Sequence, residues 1–124
     1  MSPVRGTLIA ESLQPGAAVD GVRLTVSKIW RADVGDVTAG QPRTWTFVEF
    51  EAAEEHAGTL ASLLERSLQG SGGWYCDFRT DAETFVVFAG RTFRYPRGDE
   101  LGRAKAAEYA RSIGVPAAQL DWPE

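Results

Sequence analysis

Alternating apolar positions dominate residues 74–97 of this 124-residue chain, WYCDFRTDAETFVVFAGRTFRYPR. Two turn signals, Asp81-Ala82 and Gly90-Arg91, divide this stretch into three predicted strands. Gly90 would take the first central position of a two-residue hairpin loop, a position that suits glycine. Two-residue loops then predict the register. The pairs are Phe78 with Phe85, Cys76 with Val87, Trp74 with Ala89, Phe88 with Phe93, and Val86 with Tyr95.

Both faces of this predicted meander are apolar, since side chains alternate between the two sides of a strand. One face carries Trp74, Cys76, Phe78, Phe85, Val87 and Ala89. The other carries Tyr75, Val86, Phe88, Phe93 and Tyr95, with Asp77 and Arg79 at its margin. An antiparallel sheet with one solvated face has a polar second face. The second aromatic face therefore needs a cover, which is either the rest of this chain or a ligand, a partner or a second copy.

Three more strands are predicted before this meander. Residues 7–13 form a short one, and the alternation of Val22, Leu24 and Val26 with polar residues indicates another that can run on to Trp30. Residues 33–42 (DVGDVTAGQP) are rich in turn formers and predict a mobile loop. Residues 44–51 (TWTFVEFE) have the aromatic and β-branched content of a strand.

Two amphipathic helices are predicted. Residues 53–68 place their alanines and leucines along one side, and the glycine-rich segment 69–73 ends the helix. Asp99 is a predicted N-cap for the second helix, whose inner stripe is Ala106, Tyr109, Ala110 and Ile113. Gly114 ends that helix, and the tail that follows is expected to be pinned to the body through Leu120 and Trp122.

The element order β-β-β-α-β-β-β-α predicts a single α+β domain over residues 1–124, with a mostly antiparallel sheet and both helices packed on one face. In that arrangement the first three strands, or something external, would cover the second aromatic face. The length suffices for a core without disulfides or metal.

Charge and composition narrow the function classes. The net charge of −4 disfavours nucleic acid, whose phosphate backbone needs a basic surface. A single cysteine excludes an intrachain disulfide and a multi-cysteine zinc site. The first residues lack an apolar run typical of a signal peptide, and no stretch is long enough to span a membrane. We therefore expect a cytoplasmic protein without cofactor or metal.

Individual residues give little sign of catalysis. His56 is the only histidine, and no nucleophile is indicated within its reach, so a surface position is expected. Cys76 could pair with His56 as a nucleophile, but its place beside Phe78 predicts a buried, inert thiol. Arg94 is expected on the Val87 side in a structural ion pair, because a charge there needs a partner. A carboxylate such as Glu108 or a tail acid is the expected partner.

The segment RTWTFVEF at residues 43–50, followed by a helix with acidic residues at its start, resembles the third-strand motif of RNA-recognition domains. The resemblance implies that Trp45 and Phe47 would stack on bases. The match covers about eight residues, and it departs from the family in the threonine at position 44, in a strand-and-loop region before the motif, and in three strands after the helix.

The C-terminal half, FVVFAGRTFRYPRGD through QLDWP, is also similar to small uncharacterised bacterial proteins. This resemblance extends over most of the chain. It implies no activity, and it transfers no site residue.

Two functional hypotheses and a third alternative follow. The favoured one is a non-enzymatic interaction module that binds itself or a protein partner, as an inhibitor or immunity-type protein does, through an aromatic sheet face. Its interaction residues would be Tyr75, Phe88, Phe93 and Tyr95, with Arg79 and Arg97 on the rim. The alternative is a small-molecule binder or enzyme with a pocket between sheet and helices, lined by Arg94, Tyr109 and Trp122. RNA binding is the third.

Overall fold

The computed structural model describes residues 2–123. Its strands are β1 (Val4–Ile9), β2 (Thr25–Asp33), β3 (Thr44–Ala52), β4 (Cys76–Arg79), β5 (Glu83–Phe88) and β6 (Arg91–Pro96), and its α-helices are α1 (Ala57–Ser67) and α2 (Glu100–Ser112). The six strands form one sheet in the order β2-β3-β1-β4-β5-β6, and every neighbouring pair is antiparallel. The predicted α+β class, the antiparallel sheet and the element order are confirmed.

The first strand and the first helix differ from the prediction at the ends where the chain forms 3-10 turns. β1 begins at Val4 and ends at Ile9, because the chain turns there into a 3-10 turn (Ala10–Ser12). The Ser12 hydroxyl donates a hydrogen bond to the Ile9 carbonyl at 2.6 Å, which closes that turn. A second 3-10 turn (Glu54–His56) precedes α1, so the α-helix starts four residues later than predicted.

The first predicted hairpin register is confirmed, with Phe78 opposite Phe85 and Cys76 opposite Val87. The second was wrong by two residues. The observed pairs are Val86 with Phe93, and Thr84 with Tyr95. The loop is therefore Ala89-Gly90, and Gly90 takes the positive φ of 75° at its second central position. A shift of two residues keeps every side chain on its predicted face, because side chains alternate with period two.

The two helices lie on opposite faces of the sheet, so the prediction that both pack on one face was wrong. Phe85 of β5 belongs to the core cluster that contains Leu64 of α1. Phe88, three residues later on the same strand, belongs to the cluster that contains Ala110 of α2. Both faces around β5 are apolar, and a helical layer on one face alone would leave the other in water. α2, and not the first three strands, supplies part of the cover for the second aromatic face.

The α1 side holds the larger core. It is formed by Val4, Leu8, Val22, Phe50, Ala52, Ala57, Leu60, Ala61, Leu64, Leu68, Cys76, Phe78, Phe85 and Val87. Gly6 of β1 faces this core where a side chain has no room: a Cβ there would lie 2.6 Å from the Cβ of Phe78. The glycine lets Phe78 stack on Phe85, with ring centroids 4.7 Å apart.

The predicted N-cap of α2 is confirmed, since an Asp99 carboxylate oxygen accepts hydrogen bonds from the backbone N–H groups of Leu101 and Gly102 at 3.1 and 3.2 Å. The inner stripe differs at one position, because Ile113 is 37% exposed. The segment after α2 folds back onto the sheet and buries Trp122, as predicted for the tail. Among residues 2–123, no helix is long and apolar enough to cross a bilayer.

A tryptophan-lined cleft as the candidate functional site

α2 covers only part of the second face of the sheet. Over β1, β3 and β4 that face remains open, and the tail rises beside it as a wall, which leaves a cleft of about 510 Å³. We call it the tryptophan cleft, because all four tryptophans of the chain line it. Its main lining side chains are Thr7, Ile9, Trp30, Trp45, Phe47, Trp74, Tyr75, Asp77, Arg79, Gln119, Asp121 and Trp122.

Strand alternation accounts for the aromatic floor of the cleft. Phe47 of β3 lies directly opposite Trp30 of β2, and the two rings stack with centroids 5.0 Å apart and planes 8° from parallel. The Lys28 ammonium lies 4.5 Å from the centroid of the Trp30 ring. Trp45, two residues before Phe47, contacts Trp74 with ring centroids 5.0 Å apart. Aromatic side chains thus extend across the sheet from β2 to the chain entering β4.

The tail wall is fixed at several points. The Trp122 indole N–H donates to the Tyr95 hydroxyl at 2.8 Å, and Arg103 of α2 donates to the Trp122 carbonyl at 2.6 Å. The Tyr75 hydroxyl donates to the Gln119 carbonyl. The Gln119 amide in turn donates to the Asp36 carbonyl at 2.5 Å, so loop 33–42 braces the wall. Loop 33–42, which the sequence predicts to be mobile, is therefore hydrogen-bonded to the wall of the cleft.

Three charged side chains line the cleft: Asp77, Arg79 and Asp121. Burial raises the pKa of the Asp77 carboxyl to about 6; the attraction of Arg79 opposes this rise, and the negative charge of Asp121 adds to it. Burial and the charges of the same two carboxylates also raise the pKa of Tyr75, which therefore stays protonated. With both carboxylates ionised the lining has one net negative charge, and Asp77 can take up or release a proton near neutral pH.

The predicted interaction face is largely covered by the chain itself. Phe88 and Tyr95 are buried, whereas Tyr75 and Phe93 are half-buried. Their covering partners include Tyr109 of α2, whose ring centroid lies 4.9 Å from that of Phe88. The sequence left two possible covers for this face, the rest of the chain or an external partner. α2 and the tail of the chain provide the cover.

The two rim arginines separate. Arg79 lines the tryptophan cleft. Arg97 is exposed beyond the end of β6, and its backbone N–H donates to the Ala82 carbonyl at 3.0 Å.

The structure does not bring together the three residues of the predicted pocket. Only Trp122 lines the cleft. Tyr109 packs against Phe88 and Phe93 under α2. Arg94 lies on the other face, as predicted, over the Phe85 ring at 4.9 Å. Its guanidinium pairs with Glu83, with nitrogen–oxygen distances of 2.6 and 2.7 Å, and not with Glu108 or a tail acid. Glu83 lies on the adjacent strand β5, near the start of the same face.

Cys76 and His56 lie outside the cleft. Cys76 is buried on the α1 side, as predicted, and its burial raises the pKa of the thiol. His56 is half-buried at the start of α1, and its Nδ1 has no hydrogen-bond partner among the described residues. Within residues 2–123, no group of three His, Cys, Asp or Glu side chains is arranged to hold a metal ion.

The residues of the RNA-recognition resemblance lie in the cleft, but with little ring surface free for a base. Trp45 is only 6% exposed, and one face of Phe47 is occupied by Trp30. Farther along β3, the same face carries charges of both signs, since Arg5 pairs with Glu51 at 3.8 Å.

Sequence reasoning missed the cleft, although one signal was present. Trp74 was expected beside Cys76 on the α1 side. However, β4 begins only at Cys76, and Gly72 and Gly73 adopt positive φ values of 93° and 74° just before it. The turn breaks the alternation and sends Trp74 to the cleft. The usable signal was the enrichment in tryptophan, since Trp30 and Trp45 lie within the predicted early strands and Trp122 lies in the tail.

No protein-family model, no curated protein and no solved structure matches this chain, so the cleft is assigned from its own residues.

Proposed function

We propose that this protein binds a small organic molecule in the tryptophan cleft. One observation carries the proposal: a cavity of about 510 Å³ gathers all four tryptophans around two carboxylates and a guanidinium. The proposal keeps the small-molecule hypothesis from the sequence. It differs in the position of the site, which is the half of the sheet that α2 leaves open and not a pocket between sheet and helices.

The size and lining of the cleft support a ligand rather than a packing defect. Ligand sites typically measure about 300–1,000 Å³ and combine apolar and aromatic walls with a few polar groups. Here Ile9, Phe47 and Trp30 supply apolar surface, while Asp77 and Arg79 supply charge. A charged side chain on an otherwise aromatic floor lowers stability unless it is paired, and perturbed charges of this kind are concentrated at functional sites.

The arrangement of the wall suits a preformed site. The tail is joined to three different parts of the chain, through Tyr75, Arg103 and Asp36. Ordered walls reduce the conformational entropy that a ligand must overcome on binding. A binding function therefore requires no large rearrangement of the fold.

Filling the cleft tests the proposal. Thr7 lies on the cleft floor of β1, opposite Asp77, and Thr7→Phe would occupy ligand space while keeping a residue that favours strands. Thr25→Phe is the matched control, because Thr25 is exposed near the start of β2 and does not line the cleft. The measurement is a thermal-shift screen of metabolites, followed by tryptophan-fluorescence titration of each stabilising compound.

We expect a compound that stabilises the native chain and the Thr25→Phe variant, and whose affinity falls at least about tenfold in Thr7→Phe, since an added ring displaces ligand atoms. Binding that survives Thr7→Phe unchanged would place the ligand elsewhere and contradict the proposal. A screen without any stabilising compound would also count against it.

Self-association is a second candidate, favoured by a different observation. β2 is an edge strand of the sheet, and two of its apolar residues are exposed, Val26 at 47% and Ile29 at 64%. An unpaired strand edge can add a strand from another chain. We infer that the interaction module predicted from the sequence would use β2 with a second copy, and not the covered residues Phe88 and Tyr95.

A further inference from the structure

The charged groups of the tryptophan cleft distinguish between classes of ligand, and the following inference rests on the proposed binding function. Asp77 projects from the middle of β4 onto the cleft floor, and Asp121 approaches it from the tail wall. Among residues 2–123, Arg79, two residues along β4, is the one cation that lines the cleft, and Lys28 lies beside it over the Trp30 ring. A cationic ligand group therefore meets two carboxylates, whereas an anionic one meets a single guanidinium.

Asp77 lacks a close ion-pair partner of its own. The ion pairs within 4.0 Å among the described residues are Arg5 with Glu51 and Arg94 with Glu83, and neither includes Asp77. Arg79 attracts the Asp77 charge from a longer distance. A half-buried carboxylate without a contacting cation is a ready acceptor for a ligand that brings one.

The proton equilibrium of Asp77 agrees with this geometry. Its pKa is raised to about 6 because burial and Asp121 outweigh the attraction of Arg79 and of Arg103 on α2. The charged or titratable side chains that act on Asp77 are Arg79 on β4, Arg103 on α2, Asp121 in the tail and the protonated Tyr75. A cation seated beside Asp77 would favour its ionised form.

The aromatic lining also favours positive charge. The faces of tryptophan rings attract cations through their quadrupole, and the chain already uses two cleft rings in this way. Lys28 lies 4.5 Å from the Trp30 centroid, and Arg103 lies 4.9 Å from the Trp122 centroid. Both cations belong to the chain itself, so these two rings already have a cation, and a ligand's positive charge would depend mainly on Asp77 and Asp121.

We propose that the tryptophan cleft binds an organic cation, a protonated amine or quaternary ammonium on an aromatic or apolar body, with Asp77 and Asp121 as its counter-charges. The apolar body packs on Phe47 and Ile9 at the cleft floor. The ammonium group lies over the Asp77 end of β4, on the side away from Arg79.

Three probes of one shape test this class: phenethylamine, which is a cation, its neutral N-acetyl derivative, and phenylacetate, which is an anion. Chemical-shift titration of the tryptophan indole N–H signals measures the affinity of each. We expect phenethylamine to bind at least about tenfold more tightly than the other two, since one charge-assisted hydrogen bond is worth about that factor.

Two variants separate a cation site from its alternatives. Asp77→Asn should weaken phenethylamine binding about tenfold, whereas Arg79→Gln should strengthen it, because it removes a repulsive charge. Asp81→Asn is the matched control, since Asp81 lies in the exposed turn between β4 and β5, and it should change nothing. A ligand with both charges, or an anion, would be weakened by Arg79→Gln.

The pH dependence gives a readout that a purely structural role of Asp77 would not produce. Between pH 7.5 and pH 5 the ionised fraction of Asp77 falls about tenfold for a pKa of about 6. Phenethylamine affinity should fall by a similar factor, and Asp77→Asn should abolish this dependence.

Equal binding of the neutral and cationic probes, or tighter binding of phenylacetate, would overturn the cation inference while leaving a binding cleft in place. Failure of all three probes would overturn it as well. The Thr7→Phe comparison with unrelated compounds then decides separately whether the cleft binds any ligand.

Discussion

Asp77 is the residue at which folding and the proposed function oppose each other. The folded chain surrounds this carboxylate with aromatic floor and wall, and burial raises its pKa from 3.8 to about 6. A carboxyl group whose pKa is raised on folding holds its proton more tightly in the folded state than in the unfolded one. The ionised form therefore destabilises the fold, and the free energy of unfolding falls as the pH rises from about 4 to about 6.

Asp77→Asn should consequently raise the free energy of unfolding at pH 7 by about 1–2 kcal/mol, a value reduced to allow for the partial exposure of the side chain. Near pH 3, where Asp77 is mostly protonated in both states, the two proteins should differ little in stability. Urea unfolding at both pH values measures the difference, with Asp81→Asn as the control. An asparagine variant that is no more stable than the native chain at pH 7 would show that the carboxylate is well solvated.

At the scale of elements, α2 determines what the second face of the sheet can do. The helix is held by its Asp99 cap and by the ring contacts of Tyr109, and it buries Phe88 completely. The aromatic pattern of β5 and β6 therefore reflects a second core rather than an exposed interface.

Replacing Phe88 and Tyr95 with serine should unfold the chain at room temperature. Each large-to-small change in a core lowers stability by about 3–5 kcal/mol, and the total approaches the whole stability of a small domain. The control replaces Leu101 and Ile113 with serine, because both are exposed apolar residues of the α2 region; this variant should keep its circular dichroism and its thermal transition. A folded Phe88→Ser/Tyr95→Ser variant would show that α2 is not a permanent cover.

The alternation of residues 74–97 was sufficient to predict three strands, their faces and the first hairpin register. It could not predict on which face α2 packs, because Phe85 and Phe88 point to opposite sides and both sides are apolar. The second register failed for a local reason: Gly90 suits either central position of a two-residue loop. The cleft was beyond prediction, since it joins Trp30, Asp77 and Trp122, which only the strand order brings together.

At the scale of the whole molecule, the two candidate functions use separate surfaces, the tryptophan cleft on one face and the edge of β2. They can therefore be measured independently. Ile29 projects to the α1 side of β2, opposite Val48, while Trp30 projects into the cleft, so a substitution at one need not disturb the other.

If β2 mediates self-association, native mass spectrometry should show a dimer whose share rises with protein concentration. Ile29→Lys should shift the population towards the monomer of 13.5 kDa, because a charge at an exposed strand edge disfavours pairing. Arg23→Lys, at an exposed position before β2, is the control. A monomer at every concentration would contradict the dimer, and a mass increase from a bound small molecule would instead support the cleft.

Cys76 is the only thiol of the chain, and it lies beneath α1 on the side of β4 opposite the cleft. A thiol reagent can reach it only when α1 separates from the sheet, so the rate of labelling measures how often that local opening occurs. Asp77, its neighbour in sequence, points into the cleft. Slower labelling of Cys76 in the presence of a cleft ligand would therefore show that binding on the cleft face of β4 reduces opening of α1 on the opposite face.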